Sequence, residues 1–174
     1  SIPDFMGTPA GRFLREWESS QAAGVVGDVF GYSAVQIGLP ELDLLRGNRI
    51  ATHIQIIPPE ARNLKNISSQ DPLNRILADF TEIPLASESQ DLVVLPHALD
   101  FWETDAPAQK VLREAARILV PEGRIVLTAF NRAGLWSLRQ RLSWIGLGGP
   151  FLPDAARPIA LKRLQDWLSL LGLK

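Results

Sequence analysis

The strongest constraint on the fold comes from residues 91–130, where two apolar strands flank one amphipathic helix. Residues 91–95 (Asp-Leu-Val-Val-Leu) and 124–130 (Arg-Ile-Val-Leu-Thr-Ala-Phe) are largely apolar without alternation, which is typical of parallel strands covered on both faces. Between them, one helical stripe is formed by Val111, Leu112, Ala115, Ile118 and Leu119, and Pro121 is expected to end that helix. The segment therefore predicts a strand–helix–strand unit with a right-handed crossover.

The other elements extend this unit to an α/β three-layer sandwich in one domain. Phe13, Leu14 and Trp17 predict the apolar face of an N-terminal helix. The predicted elements are helices at about 9–24 and 161–171, strands at 32–38, 49–57 and 76–78, and a helical turn that begins at Pro40. No internal repeat divides the 174 residues, so we expect a single domain over 1–174.

Composition excludes several classes of function. Eighteen basic and nineteen acidic residues leave a net charge of −1, so we expect no nucleic-acid partner. The chain has no cysteine and two well-separated histidines, His53 and His97, so we expect no metal site. No apolar run reaches the roughly 18–20 residues of a membrane span, and the first residues do not resemble a signal peptide. We therefore expect a cytoplasmic protein without a membrane span.

Residues at the carboxyl ends of the predicted strands are the first candidates for a ligand site. Gly38 follows the first strand, where a simple strand-to-helix turn is an equally good explanation. Asp79 and Phe80 follow the third strand and could bind a base, although Asp79 could also cap a turn. His97 follows the fourth strand. It could act as a proton acceptor, contact a substrate, or simply form a hydrogen bond with the next loop. Glu60 lies past two prolines after the second strand and is not assigned to the site.

Two long runs resemble class I S-adenosylmethionine-dependent methyltransferases of type 11. One is Asp-Phe-Thr-Glu-Ile-Pro-Leu-Ala-Ser-Glu-Ser-Gln-Asp-Leu-Val-Val-Leu-Pro-His-Ala-Leu-Asp-Phe at 79–101. The other is Val-Leu-Arg-Glu-Ala-Ala-Arg-Ile-Leu-Val-Pro-Glu-Gly-Arg-Ile-Val-Leu-Thr-Ala-Phe-Asn at 111–131, and the tail at 130–139 looks like a bacterial subgroup. The resemblance implies a mostly parallel, Rossmann-like sheet and S-adenosylmethionine as cofactor. It also implies methyl transfer to an acceptor that the sequence leaves open.

The resemblance also implies which residues form the site. His97 is the predicted catalytic residue, near the sulfonium and the acceptor. Gln36 stands where the family commonly has an acid, and Gly38 matches the first glycine of the cofactor loop. Asp79 matches the contact to the adenine amine. The predicted cofactor-binding residues are Gln36, Gly38, Asp79, Phe80, Leu95 and Pro96.

The chain departs from the family pattern in its cofactor loop. Pro40 and Leu42 replace the second and third glycines, and no acid directly follows the second strand. These departures keep an alternative open: a methyltransferase-fold protein that has lost the cofactor and acts as a binding or interaction module. A nicotinamide-dependent Rossmann enzyme is disfavoured because the chain lacks Gly-x-Gly-x-x-Gly.

The last two strands of the family sheet have no counterpart in the predicted elements. The fifth strand would then leave an apolar edge exposed, which proteins usually avoid. We therefore expect an irregular segment at about 132–153, or a second copy of the chain in a homo-oligomer, to cover that edge.

Overall fold

The computed structural model describes residues 5, 7–63, 74–130, 157 and 159–173. The helices are α1 (Pro9–Val26), α2 (Asp105–Ile118) and α3 (Leu161–Leu170), with a 3-10 helix at Pro59–Asn63. The strands are β1 (Ser33–Ile37), β2 (Thr52–Ile57), β3 (Asn74–Leu77), β4 (Gln90–Pro96) and β5 (Leu119–Thr128). In the described ranges these strands form one five-stranded sheet in the order β3-β2-β1-β4-β5, and every neighbouring pair is parallel. The predicted α/β fold with a parallel, Rossmann-like sheet is confirmed.

Two apolar layers cover the sheet because successive strand residues point to opposite faces. Val35 and Val93 pack with α2 and α3 in one buried cluster. Ala34 and Leu92, one residue earlier on each strand, pack on the opposite face with α1 and the loop after β1. Four residues of the predicted stripe of α2 are inaccessible to solvent as expected, namely Val111, Leu112, Ala115 and Ile118. The helix ends earlier than predicted: Leu119 already begins β5, and Pro121 lies within that strand.

The N-terminal helix buries a different face from the one predicted. Its buried positions recur every four residues, at Leu14, Glu18, Ala22 and Val26. Phe13 and Trp17 are instead 60% and 54% exposed. Phe13 and Trp17 were included in the predicted apolar face because they are large and hydrophobic, but they lie beside the face that is buried. The buried face also contains the carboxylate of Glu18, which a hydrophobic pattern cannot identify.

The connection from β1 to β2 contains turns and no helix, although all of its residues are described. The predicted helical turn at Pro40 is therefore wrong. The loop instead buries apolar side chains against α1, namely Leu39, Leu42, Leu44, Leu45 and Ile50. Its backbone groups need hydrogen bonds that a helix would otherwise supply.

The side chain of Gln36 supplies those hydrogen bonds. It is 1% exposed, and its Nε2 donates to the carbonyl oxygens of Leu39, at 3.2 Å, and of Leu42. Its Oε1 accepts the backbone N–H of Leu44 at 2.9 Å. The buried carboxamide of Gln36 therefore holds the loop after β1 in place, with its N–H groups as donors and its oxygen as acceptor.

The outer edge of β5 bears on the predicted assembly. β5 pairs with β4 along one side, and no other strand in the described part of the chain pairs with it. The segment predicted to cover this edge, 132–153, lies outside the described residues, so its cover stays a prediction. None of the described helices is both long and apolar enough to cross a membrane.

The Gln36→Glu variant should lose roughly 2–4 kcal/mol of unfolding free energy near neutral pH, because a carboxylate would face two carbonyl oxygens without a proton to donate. The loss should shrink at acidic pH, since burial favours the protonated carboxyl group. Urea unfolding monitored by circular dichroism measures both effects.

Gln55→Glu is the matched control for this prediction. Gln55 is 2% exposed, but its Oε1 accepts from Nε of Arg75 at 2.9 Å, so a carboxylate there keeps a charged donor. Equal losses in the two variants would contradict the role assigned to Gln36.

Candidate functional site

A pocket of about 490 Å³ lies at the carboxyl ends of β1, β2, β3 and β4. This is the point where the strand order reverses, between β1 and β4, and where open parallel sheets bind ligands. Its volume is in the range of small-molecule and cofactor sites. The lining consists of Gly38, Leu39, Pro40, Pro58, Pro59, Glu60, Ala78, Asp79, Phe80, Pro96, His97, Ala98, Phe101 and Trp102.

The centre of the pocket depends on Gly38, directly after β1. Its φ is +137°, a conformation that L side chains rarely adopt. A Cβ atom there would lie 2.6 Å from the carbonyl oxygen of Pro96 at the end of β4. Only glycine permits this close approach of the β1 and β4 ends.

The β3 end of the pocket carries Asp79 and Phe80. Asp79 is exposed, and its Oδ1 accepts the backbone N–H and the hydroxyl of Thr81, both at 2.8 Å. These two hydrogen bonds lower the pKa of the Asp79 carboxyl group, so it stays ionised at neutral pH. Both sequence-based readings are therefore compatible with the structure: Asp79 closes a turn and also lines the pocket.

The β2 end supplies Glu60, a carboxylate that sequence reasoning set aside. Glu60 is the second residue of the 3-10 helix that starts at Pro59, and it lines the pocket. In the sequence, the two prolines between β2 and Glu60 argue against a place at the strand end. Instead they turn the chain directly at the end of β2, which keeps Glu60 at the carboxyl edge of the sheet.

The β4 end is formed by Pro96 and the turn that follows it. His97, the first residue of this turn, lines the pocket with an unusual φ of +51°. Phe101 and Trp102 add aromatic walls, and Nε1 of Trp102 donates to the carbonyl oxygen of Ala98 at 2.9 Å. This end of the pocket is therefore mainly apolar.

The His97 ring is held between two buried carboxylates. Its Nδ1 lies 2.7 Å from Oδ2 of Asp100, and its Nε2 lies 2.9 Å from Oε1 of Glu18 on α1. The ring also packs on Phe130, with centroids 4.3 Å apart. Burial lowers the pKa of His97, but the hydrogen bonds and charges of Asp100 and Glu18 outweigh it and raise the pKa to about 9. His97 is therefore an imidazolium at neutral pH, and it donates to both carboxylates.

The predicted site residues fall into two groups. Gly38, Asp79, Phe80, Pro96 and His97 line the pocket. Gln36 and Leu95 do not line it, because Gln36 supports the loop after β1 and Leu95 is fully buried in the core. Their assignment to cofactor binding stays a prediction. Their positions fit an indirect role, in which they support the residues that line the pocket.

Sequence reasoning missed Glu18 and Asp100 as well as Glu60. Asp100 follows His97 by three residues, a spacing that lets a turn bring the two side chains together. Glu18 lies 79 residues before His97, and only the packing of α1 on the sheet brings them into contact. No group of three or more His, Asp or Glu side chains suited to hold a metal ion occurs among the described residues.

A family model for a methyltransferase domain matches residues 38–127. This span is just over half of the 174 residues and contains every loop that lines the pocket. The chain belongs to this methyltransferase domain family. The resemblance to class I S-adenosylmethionine-dependent methyltransferases is thereby confirmed.

The chain is also similar to individual proteins and solved structures. This methyltransferase-family chain is 34% identical over 109 residues to the uncharacterized protein YafS of Escherichia coli K12, a match that covers 63% of the chain and 43% of YafS. An S-adenosylmethionine-dependent methyltransferase from Thermotoga maritima matches with a TM-score of 0.71 at 20% identity, over 94% of this chain and 72% of that one. One from Archaeoglobus fulgidus matches with a TM-score of 0.70 at 17% identity, over 91% and 68%. These structures show a shared fold.

The Gly38→Ala variant should lose roughly 2–4 kcal/mol of unfolding free energy, because alanine meets both an unfavourable φ and the Pro96 carbonyl oxygen. Gly47→Ala is the control: its φ is also positive, at +88°, but a Cβ atom there has open space. It should cost roughly 1–2 kcal/mol, the strain of the left-handed backbone alone. Urea unfolding of both variants measures the difference, and a Gly38→Ala loss no larger than that of Gly47→Ala would contradict the close approach.

Proposed function

We propose that this protein is an S-adenosylmethionine-dependent methyltransferase that uses the pocket at the carboxyl edge of its sheet. The observation that carries the proposal is an open pocket in which an ionised carboxylate, a stacking ring and a glycine-dependent strand end face one cavity. When bound, S-adenosylmethionine supplies a sulfonium methyl group that passes to a nucleophilic acceptor atom while sulfur recovers the electron pair. The residues of the chain then have to bind the cofactor, align it with the acceptor and exclude water.

The β3 end of the pocket suits the adenine ring. The Asp79 carboxylate can accept a hydrogen bond from an exocyclic amine, and Phe80 beside it offers an apolar ring face for stacking. The Thr81 hydrogen bonds involve Oδ1 of Asp79, and no hydrogen bond from the described residues involves Oδ2. Oδ2 is the atom we assign to the adenine amine.

Glu60 suits the ribose. β2 lies between β3 and β1 in the sheet, so its loop lies between the adenine end and the Gly38 centre of the pocket. A carboxylate at that position can accept hydrogen bonds from both ribose hydroxyls. Glu60 thereby takes the place of the acid that the sequence lacks directly after the second strand.

The β4 end suits the methyl group and the acceptor. Ala98, Phe101 and Trp102 form an apolar wall that would exclude water from a displacement reaction. Aromatic faces also attract a sulfonium cation. The catalytic role predicted for His97 stays a prediction. Both of its ring nitrogens are occupied, so alignment of this wall fits the geometry better than proton abstraction.

The alternative of a methyltransferase-fold binding module is not favoured. It drew support from Pro40 and Leu42 in the cofactor loop and from the absence of an acid directly after the second strand. Pro40 lines an open pocket instead of filling it, and Glu60 provides the carboxylate.

Isothermal titration with S-adenosylhomocysteine tests the proposal, and binding in the micromolar range is the expected result. Asp79→Asn keeps an oxygen to accept from Thr81 but presents an N–H donor to the adenine amine. It should weaken binding roughly 10–100-fold, as expected for loss of a charged hydrogen bond.

Glu82→Gln is the matched control, since Glu82 is an exposed acid three residues later that does not line the pocket. Its affinity should equal that of the wild type. The absence of binding at millimolar ligand would overturn the proposed function, and equal effects of the two variants would overturn the role of Asp79.

A further inference from the structure

Glu18, His97 and Asp100 form a buried cluster behind the β4 end of the pocket, here called the imidazolium clamp. The three side chains are 5%, 1% and 0% exposed. Glu18 and Asp100 lie on opposite edges of the His97 ring, at 2.9 Å and 2.7 Å from its two nitrogens. Charges this deeply buried are stable only when they are paired and hydrogen-bonded, so the cluster strongly restrains all three residues.

The clamp joins three elements at the carboxyl edge of the sheet. Glu18 belongs to α1, and its Oε2 also accepts the hydroxyl of Thr128 at the end of β5, at 3.3 Å. Oδ2 of Asp100 also accepts the backbone N–H of Phe130 at 2.9 Å. His97 follows β4 directly, and its backbone N–H donates to the carbonyl oxygen of Thr128 at 3.0 Å. Loss of the clamp would therefore loosen α1, β4 and β5 together.

The turn held by the clamp carries part of the pocket wall. The backbone N–H of Asp100 donates to the carbonyl oxygen of His97 at 3.2 Å, which closes a turn immediately before Phe101 and Trp102. His97 occupies a left-handed conformation that costs roughly 1–2 kcal/mol for a residue with a Cβ atom. The strained residue needs strong contacts to stay in place, and the two carboxylates provide them.

We propose that Glu18 and Asp100 are positioning residues, whose carboxylates hold the protonated His97 ring and thereby fix the turn 97–102 that forms the β4 wall of the pocket. The inference rests on the proposed function for the identity of the ligand. It makes α1 part of the binding apparatus, although no residue of α1 lines the pocket.

The charge on His97 gives the clamp a defined pH range. Its pKa of about 9 in the folded chain lies above its ordinary value of 6.5, so protonation favours the folded arrangement. The contribution of His97 is complete below about 6.5 and is lost as pH rises through about 9. On the acid side, burial raises the pKa of the Asp100 carboxyl group above its ordinary value, so protonation of Asp100 sets the lower limit of the range. Among the described residues, Glu18 from α1 and Asp100 from the turn are the titratable groups that contact the ring, while β5 and the residues after it contribute Thr128 and Phe130.

Histidine NMR tests the clamp without any ligand, because the chain has only two histidines. The wild-type His97 ring should titrate near 9, and Glu18→Gln should move its midpoint toward 6.5. Glu16→Gln, an exposed acid on the same helix, should leave the midpoint unchanged. A wild-type midpoint near 6.5 would overturn the proposal.

Amide exchange and ligand binding test the positioning role. In the unliganded protein, Glu18→Gln should speed exchange of the Asp100 and Phe130 amides roughly tenfold, because local opening becomes easier. Binding of S-adenosylhomocysteine should weaken by a similar factor in this variant and should weaken in the wild type as pH rises through about 9. An affinity that is the same in Glu18→Gln and independent of pH, despite a shifted His97 titration, would overturn the positioning role.

A second variant keeps the test decisive if Glu18→Gln does not fold. Asp100→Asn can keep its amide oxygen at the position of Oδ2, where it accepts from His97 and from the Phe130 N–H. It replaces Oδ1, which is buried and has no hydrogen-bond partner among the described residues, by an NH2 group and removes the charge, so it should lower the His97 midpoint in the same way. Failure of every form to bind S-adenosylhomocysteine would defeat the proposed function alone. In that case the titration and exchange results on the unliganded protein would still support or overturn the clamp.

Discussion

The pocket depends on how closely the ends of β1 and β4 approach each other. Gly38 lies against the carbonyl oxygen of Pro96, at a distance that excludes any side chain. These two strands are neighbours at the reversal of the strand order, so their separation sets the width of the crevice. Directly after this contact, the backbone turns away from the sheet at the end of each of the two strands, and both turns are irregular. The rest of the site follows from how those two turns are stabilised.

Buried polar side chains stabilise both turns. After β1, the amide of Gln36 bonds two carbonyl oxygens and one N–H of a loop that contains no helix. After β4, the His97 ring bonds two carboxylates from separate elements. Buried polar groups are costly when unpaired and restrictive when satisfied. The loops are therefore defined by specific hydrogen bonds, and the sheet alone would leave them less constrained.

The regular part of the fold could be predicted from the sequence because hydrophobic periodicity reports burial directly. The strands around 91–95 and 124–130 and the stripe of α2 were predicted and are found in the structure. The same method failed on α1, where Glu18 is buried and Trp17 is exposed. Its buried face is set by an ionic contact across 79 residues of sequence, which local periodicity does not encode.

The candidate site could be predicted only in part, for the same physical reason. The ends of the strands located Gly38, Asp79, Phe80, Pro96 and His97 at one pocket, because parallel strands place their carboxyl ends on one edge. Glu60 is placed by the turn that directly follows β2, and tertiary packing assembles the imidazolium clamp. In the sequence, Gln36 stands where the family commonly has an acid that binds the cofactor. In the structure, its side chain instead holds the loop after β1. The Gln36 amide donates to two carbonyl oxygens of this loop, and a carboxylate at the same position could not.

The loss of two glycines from the loop after β1 is compatible with binding of an adenosyl sulfonium. Glycine-rich loops suit phosphates, because several backbone N–H groups must converge on a concentrated negative charge. S-adenosylmethionine has no phosphate, and its reactive centre is a cation. Carboxylates and aromatic faces are the groups that recognise its amine, hydroxyl and sulfonium functions. Under the proposed function, Pro40 takes away one N–H donor, while Glu60, Asp79, Phe101 and Trp102 line the pocket with the carboxylates and aromatic faces that these functions require.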